Sequence, residues 1–274
     1  MRKPIPVALT GDIDDGNEDL NGCLRPMTEM LRSHGVPMTI PVVASALQKH
    51  PRKMGYLLDA GVDLAGHGDV HEPFVGPIET QTRRLIQMNR VFETVLGQSP
   101  IGFRAPFLAH DANLYPALGK AGIRYDTSRI ATDVMLRIRN LISRRPLAFR
   151  DPPWQIPSIL VAHIKGRTIS KPYPVAPSVT EFPVFELDDW FFFESVRGPR
   201  LREDEGELVA MTWLSAIRHF RRPGNIFVLQ AHPKRISPSH LKMIEGFIET
   251  VRGLGCEFVS LRDLVQRIKV VSTG

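Results

Sequence analysis

Residues 10–19 read TGDIDDGNED, which crowds Asp12, Asp14, Asp15 and Asp19 behind a short apolar run at 5–9. Like charges this close repel one another unless a cation neutralises them. A second use is open to Asp14, Asp15 and Asp19, because acidic side chains favour the first turn of a helix and one is expected from about residue 20. That use suits Asp15 and Asp19 and explains Asp12 poorly, since Asp12 lies farther back in the strand. Farther along comes His67-Gly68-Asp69-Val70-His71. Two imidazoles four residues apart reach one metal from a helical turn or a tight loop, and Gly66, Gly68 and Pro73 favour the loop. An aspartate from a neighbouring strand end would complete a His2Asp set with room for a water, the open pattern of a catalytic zinc site.

These residues need elements to hold them. Apolar runs of strand length fall at 7–10, 38–43, 64–65, 101–104, 181–187, 226–230 and 257–260, with helical patterns at 20–33, 46–60, 77–96, 113–121, 206–220, 238–254 and 261–269. Ser237 followed by Pro238 is a helix start signal. Alternating strands and helices predict an α/β fold with a parallel sheet and helices outside it, and ligands in such folds gather at the carboxyl ends of the strands. The polar sets do sit there: Asp12-Ile13-Asp14-Asp15, His67 to His71, Arg104-Ala105-Pro106-Phe107, Asp188-Asp189-Trp190 and Gln230-Ala231-His232-Pro233.

Gross composition sets limits. The 274 residues allow one large domain or two small ones, and 43% hydrophobic with 23% charged residues is ordinary for a globular chain. Cys23 and Cys256 form no CxxC pair, so neither a structural zinc nor an oxidising compartment is indicated. The start, MRKPIPVALTGD, is too short in apolar residues for a membrane span and lacks a cleavage signal. It reads as a first strand, of a cytoplasmic protein or of a secreted one trimmed of its signal. The net charge of +6 would suit anionic partners, yet it concentrates at 135–150, where Met135, Ile138, Leu141 and Ile142 predict an amphipathic helix with a solvated basic face. No nucleic-acid motif accompanies it, and no nucleic-acid partner is expected.

Taken together, the strand-end sets resemble the polysaccharide deacetylases with the NodB-homology domain, carbohydrate esterase family 4. Thr10-Gly11-Asp12-Ile13-Asp14, His67-x3-His71, Arg104-Ala105-Pro106, Asp188-Asp189-Trp190 and Leu229-Gln230-Ala231-His232-Pro233 match its five motifs in order. The resemblance implies a distorted (β/α) barrel. It implies one domain over 1–274, with a loop-rich, proline-containing insert at about 129–179 that could shape a lid or a contact in a homo-oligomer. The family's first motif is usually an adjacent Asp-Asp-Gly, so two registers compete. Asp14 would be base and Asp15 ligand in one, Asp12 base and Asp14 ligand in the other. The spaced Asp-x-Asp form is favoured, because residues i and i+2 of a strand face one side, and it is similar to a branch holding peptidoglycan deacetylases and allantoinase-like amidohydrolases.

The family's mechanism then assigns a divalent metal, zinc first, to Asp14, His67 and His71. Asp12 becomes the general base, His232 the general acid, Arg104 the residue that orients Asp12, and Asp188 or Asp189 the residue that orients His232. Trp190 and the three phenylalanines after it would wall the site or pack in the core. The implied activity is hydrolysis of N-acetyl groups on a peptidoglycan- or chitin-like amino-sugar glycan. An allantoinase-like amidohydrolase for a small amide is the alternative, and an inactive carbohydrate-binding protein a further one. His110 is expected near a substrate cleft, and His34, His50, His219 and His240 at the surface.

Overall fold

In the computed structural model, residues 3–16, 22–131, 171–185 and 203–272 are described. The elements run β1 (Ile5–Thr10), α1 (Leu24–Ser33), β2 (Met38–Val42), α2 (Ala44–Lys49), α3 (Pro51–Asp59), β3 (Asp63–Gly66), α4 (Ile78–Leu96), β4 (Gly102–Phe103), α5 (Leu114–Lys120), β5 (Tyr125–Asp126), β6 (Ile130–Ala131), β7 (Tyr173–Ala176), β8 (Val179–Glu181), β9 (Val184–Phe185), α6 (Glu203–Phe220), β10 (Phe227–Gln230), α7 (Leu241–Gly253), β11 (Cys256–Phe258) and α8 (Leu261–Ser272).

The strands form one sheet, parallel except for β7 on β8, in the order β6-β9-β10-β1-β2-β3-β4-β5-β8-β7, with β11 also on β1. Its two ends meet. Residues 125–131, which carry β5 and β6, run beside 179–185, which carry β8 and β9. β4 flanks the first of these segments and β10 the second. The sheet therefore curls into a distorted barrel. Proline is tolerated in β1 because Pro6 pairs only toward β11, while the ladder to β10 begins at Val7.

Side-chain parity sorts the core. Ala8, Ala65, Tyr125, Phe182, Val184, Ile226 and Val228 pack together inside the barrel with Leu261, Leu264 and Val265 of α8. Val7, Phe227 and Leu229 point outward against Val209, Trp213 and Ile217 of α6 and Phe247 and Val251 of α7. At the barrel's other end, away from the strand exits, buried Asp63 accepts from Thr39 Oγ1, Tyr125 OH, Arg262 N and Arg262 Nε, fixing the start of α8.

Several expectations shift. The helix expected over 46–60 breaks into α2 and α3 at His50 (φ −130°), because Pro51 lacks an N–H and disfavours helical backbone before it. The strand expected over 181–187 is interrupted at 182–183, and its part beyond Phe185 lies outside the described residues. α1 begins at Leu24 with Cys23 as its N-cap and no acid in its first turn, so Asp15 does not cap it; Asp19 lies outside the described residues. The basic stretch 135–150, most of the insert, His163, and Asp188 with Asp189 and Trp190 lie outside them too. His240 is buried rather than at the surface: its Nδ1 accepts from Ser237 N and pairs with Ser237 Oγ, capping the short turn Pro238–His240 before α7.

The closing seam holds an unusual pair. Asp126 and Glu181, both fully buried, are register partners across β5 and β8 on the face under α5. Ser128 Oγ donates to Asp126 Oδ1, and Arg129 N donates to Glu181 Oε1. Among the described residues Asp126 Oδ2 and Glu181 Oε2 meet no other donor, and a proton shared between them would satisfy both. Burial, then the charge and hydrogen bond of Asp126, push the Glu181 carboxyl well above the usual range, against the pull of Arg129. The native state thus binds a proton that the unfolded chain releases above about pH 4.3. Its stabilisation is full below that pH and is lost as pH rises toward the folded value. Wild type should lose stability relative to Glu181→Gln, whose amide donates without titrating, as pH rises above about 5 toward the folded value, measured by urea unfolding from about pH 5 to 8.

Candidate active site

The barrel's inward parity continues past the strand ends. On β1 the series Ala8, Thr10, Asp12, Asp14 alternates with outward Leu9 and with Ile13, which is buried in the core around α1, α2 and α4. Backbone bonds from Ile13 N to Pro41 O (2.9 Å) and from Val43 N to Ile13 O (3.0 Å) keep this exit extended beside β2. On the β10 side, Gln230 and His232 follow Val228 in the same way, Lys234 comes from the short turn just beyond, and the two exits lie side by side with Thr10 paired to Gln230. Alternate residues of two neighbouring strand exits therefore face one space.

Arg104, fully buried just after β4, crosses that space. Its Nη1 donates to Asp12 Oδ1 (2.6 Å), its Nη2 to Thr10 Oγ1 (3.0 Å) and Thr127 Oγ1 (3.3 Å), and its Nε to Thr127 O (3.1 Å). The two threonine hydroxyls pass their own protons to Leu229 O and Phe182 O. Gln230 Nε2 donates to the other Asp12 oxygen at 2.7 Å. Asp12 is thus clamped on both oxygens, while Asp14 meets other partners.

Asp14 Oδ1 stands 3.6 Å from His67 Nε2 and 3.4 Å from His71 Nε2, and one ligand atom from each of the three lies within 4.8 Å of the others. Zinc bonds of about 2.0–2.2 Å put tetrahedral neighbours about 3.4 Å apart, so the donor set fits such a cation. His67 Nδ1 lies 2.7 Å from Arg104 O, and with the proton on Nδ1 its Nε2 is left toward Asp14. Burial alone would raise the Asp14 carboxyl, yet the hydrogen bond and charge of His67, with His232 and Lys234, hold it well below the usual carboxylate range. Burial lowers the His71 pKa against the pull of Asp14, which favours the neutral imidazole a metal needs.

The loop bearing the histidines is tied down. A Cβ on Gly66 would meet Met88 Sδ at 2.4 Å, so any side chain there would displace the buried Met88 tip. Arg84 of α4 pairs with Asp69 (2.8 Å), donates to Pro73 O, and lies over the Phe74 ring. After Arg104-Ala105-Pro106, both Phe107 (φ 59°) and Leu108 (φ 54°) adopt left-handed backbone, which is costly for residues other than glycine. The result is an exposed Phe107 ring held 4.3 Å from the His71 ring.

Of the residues singled out in the sequence, Asp12 and Arg104 touch; Asp14, His67 and His71 converge; and His232, buried at the β10 exit, acts electrostatically on Asp14. Asp188 lies outside the described residues. His110 does not line the cleft but is buried against Tyr115 OH at 2.8 Å. Sequence reasoning passed over Thr10, Thr127, Gln230 and Lys234. For Thr10 and Gln230 the signal was available, since they keep the period-2 spacing of Asp12, Asp14 and His232.

Comparison with known proteins gives concordant results. The profile of the polysaccharide deacetylase family matches residues 2–125. A peptidoglycan deacetylase-like protein, FGM2 of Gibberella zeae, is 25% identical over 240 residues, and the match spans 66% of that protein's length. A Mycobacterium smegmatis structure assigned to the polysaccharide deacetylases superposes with a TM-score of 0.72 at 21% identity, covering 99% of this chain and 92% of that one. PuuE allantoinase superposes at 0.68 with 15% identity, covering 96% and 89%. At these identities the two structures establish a shared fold.

Replacing Arg104 by Met should strand the Asp12 charge in the interior. The expected cost is about 3–5 kcal/mol in urea unfolding, well beyond that of an exposed ion pair such as Arg25–Glu29.

Proposed function

We propose that this chain, whose residues 2–125 match the profile of the polysaccharide deacetylase family, acts as such an enzyme and removes N-acetyl groups from an amino-sugar glycan of peptidoglycan or chitin type. One observation carries the reading: a clamped carboxylate, Asp12, and a His2Asp donor set, Asp14 with His67 and His71, face the same space at the strand exits. Asp14 as ligand with Asp12 as base is the spaced register. It is supported by Arg104 and Gln230 holding Asp12 while both imidazoles face Asp14.

In this reading Asp14, His67 and His71 hold a divalent cation, zinc by the chemistry of the donors, and that cation would polarise the acyl oxygen and acidify a water. Asp12 takes the proton from the attacking water. Arg104 and Gln230 fix the direction of its lone pairs. His232, beside Asp12 on the neighbouring strand exit, gives a proton to the departing amine. The exposed Phe107 ring offers an apolar face to an acetyl methyl or a pyranose ring. Asp188 or Asp189 as partner of His232, and one domain throughout 1–274, belong to the same proposal. Among the described residues no helix is long and apolar enough to cross a membrane.

A second reading, an amidohydrolase for a small cyclic or linear amide, draws on the likeness in fold to PuuE allantoinase. Incubation of zinc-loaded protein with N-acetylated chito-oligosaccharides, peptidoglycan fragments and allantoin separates the two. Acetate release is expected, with Asp12→Asn slower by at least about a hundredfold and chelation abolishing turnover. Opening of allantoin without acetate release would favour the second reading, and full turnover by Asp12→Asn would remove Asp12 as the base.

A further inference from the structure

Asp14 divides its two oxygens between different partners. Oδ1 faces the imidazoles of His67 and His71, while Oδ2 stands 2.9 Å from Lys234 Nζ. Lys234 is no loose surface residue. It sits in the short turn Pro233–Arg235 that follows the β10 exit, fixed by Arg235 N to His232 O (2.9 Å) and Ile236 N to Pro233 O (3.1 Å). Its side chain is 28% exposed and that of Asp14 16%, so the contact is largely withdrawn from solvent screening.

We propose that Lys234 is a built-in counter-ion of the candidate metal centre, restricting Asp14 to one donor oxygen and weakening the hold of the centre on its divalent cation. The proposal rests on the metal reading given above. An ammonium group has three donors and no acceptor, so Lys234 orients the carboxylate without itself becoming a ligand. A cation on Oδ1 would lie within a few ångströms of the ammonium on Oδ2, and the two would repel while drawing on the same carboxylate. Neutral groups behind a metal ligand usually strengthen binding by fixing the ligand's direction. Here the group behind the ligand carries a full positive charge, and bonds from Ile13 N to Pro41 O and from Val43 N to Ile13 O already hold the neighbouring backbone in place. Charge repulsion therefore outweighs orientation. Without a cation, Lys234 also compensates Asp14, so the donor set stays assembled while metal exchanges.

The test measures zinc affinity rather than turnover. Metal-free full chain, Lys234→Met, Lys234→Gln and Lys234→Arg are titrated with zinc against a chromogenic chelator at fixed pH, with thermal unfolding of each as the check on folding. Both neutral variants should bind zinc about tenfold tighter than wild type, and Lys234→Arg should stay close to wild type. Unchanged or weaker binding by both folded neutral variants overturns the counter-ion role while leaving the metal centre standing. A wild-type protein that takes up no zinc overturns the metal reading, and the counter-ion role with it.

Discussion

A guanidinium buried in the middle of a barrel is tolerable only if every direction in which it donates meets an acceptor. Arg104 approaches that condition with four hydrogen bonds to two parts of the chain. Asp12 and Thr10 come from the β1 exit and the Thr127 carbonyl and hydroxyl from the seam, while the threonines hand their protons on to Leu229 and Phe182. The same residue's carbonyl lies on His67 Nδ1, and its amide donates to Gly66 O. One side chain and its peptide unit thereby set the position of the carboxylate proposed as base and of the first imidazole. Moving Arg104 would disturb both halves of the site together.

The barrel supplies what this hub requires. Closure through two short double-segment staves, 125–131 and 179–185, brings Thr127 opposite β1, and the buried Asp126–Glu181 pair under α5 welds those staves. Ser128 extends the weld to the Arg104 turn, because its hydroxyl donates to Asp126 and accepts from Ala105 N. Carboxylic acid, hydroxyl and peptide thus form one relay from the seam to the site. Beyond it the chain accepts left-handed backbone at two non-glycine residues, which leaves the Phe107 ring exposed against His71.

Charge is also distributed with economy. Asp12 is matched by Arg104, Asp69 by Arg84, and Asp14 by Lys234 together with the imidazoles, so the acids at the strand exits meet separate positive partners. This answers why like charges gather after β1. Asp12 and Asp14, two residues apart, face the same space, yet different cations hold them in different roles.

Much of this was legible in the residue order. The β-α alternation, the strand-end placement of Asp12, Asp14, His67, Arg104 and His232, and the parity that puts Ile13 into packing follow from local periodicity, which a linear chain displays openly. The seam strands at 125–131 and 173–180 were not legible, because two- to four-residue strands carry too few side chains to show a period and exist only where neighbours complete their ladders. Asp15 as a helix cap failed for a related reason: the start of α1 is set by the burial of Leu24, Met27 and Leu31, not by the nearest acid. That Gln230 would share the cluster with Asp12, and Lys234 with Asp14, required β1 and β10 to lie in register. Pairing between residues more than two hundred positions apart is decided by tertiary closure alone.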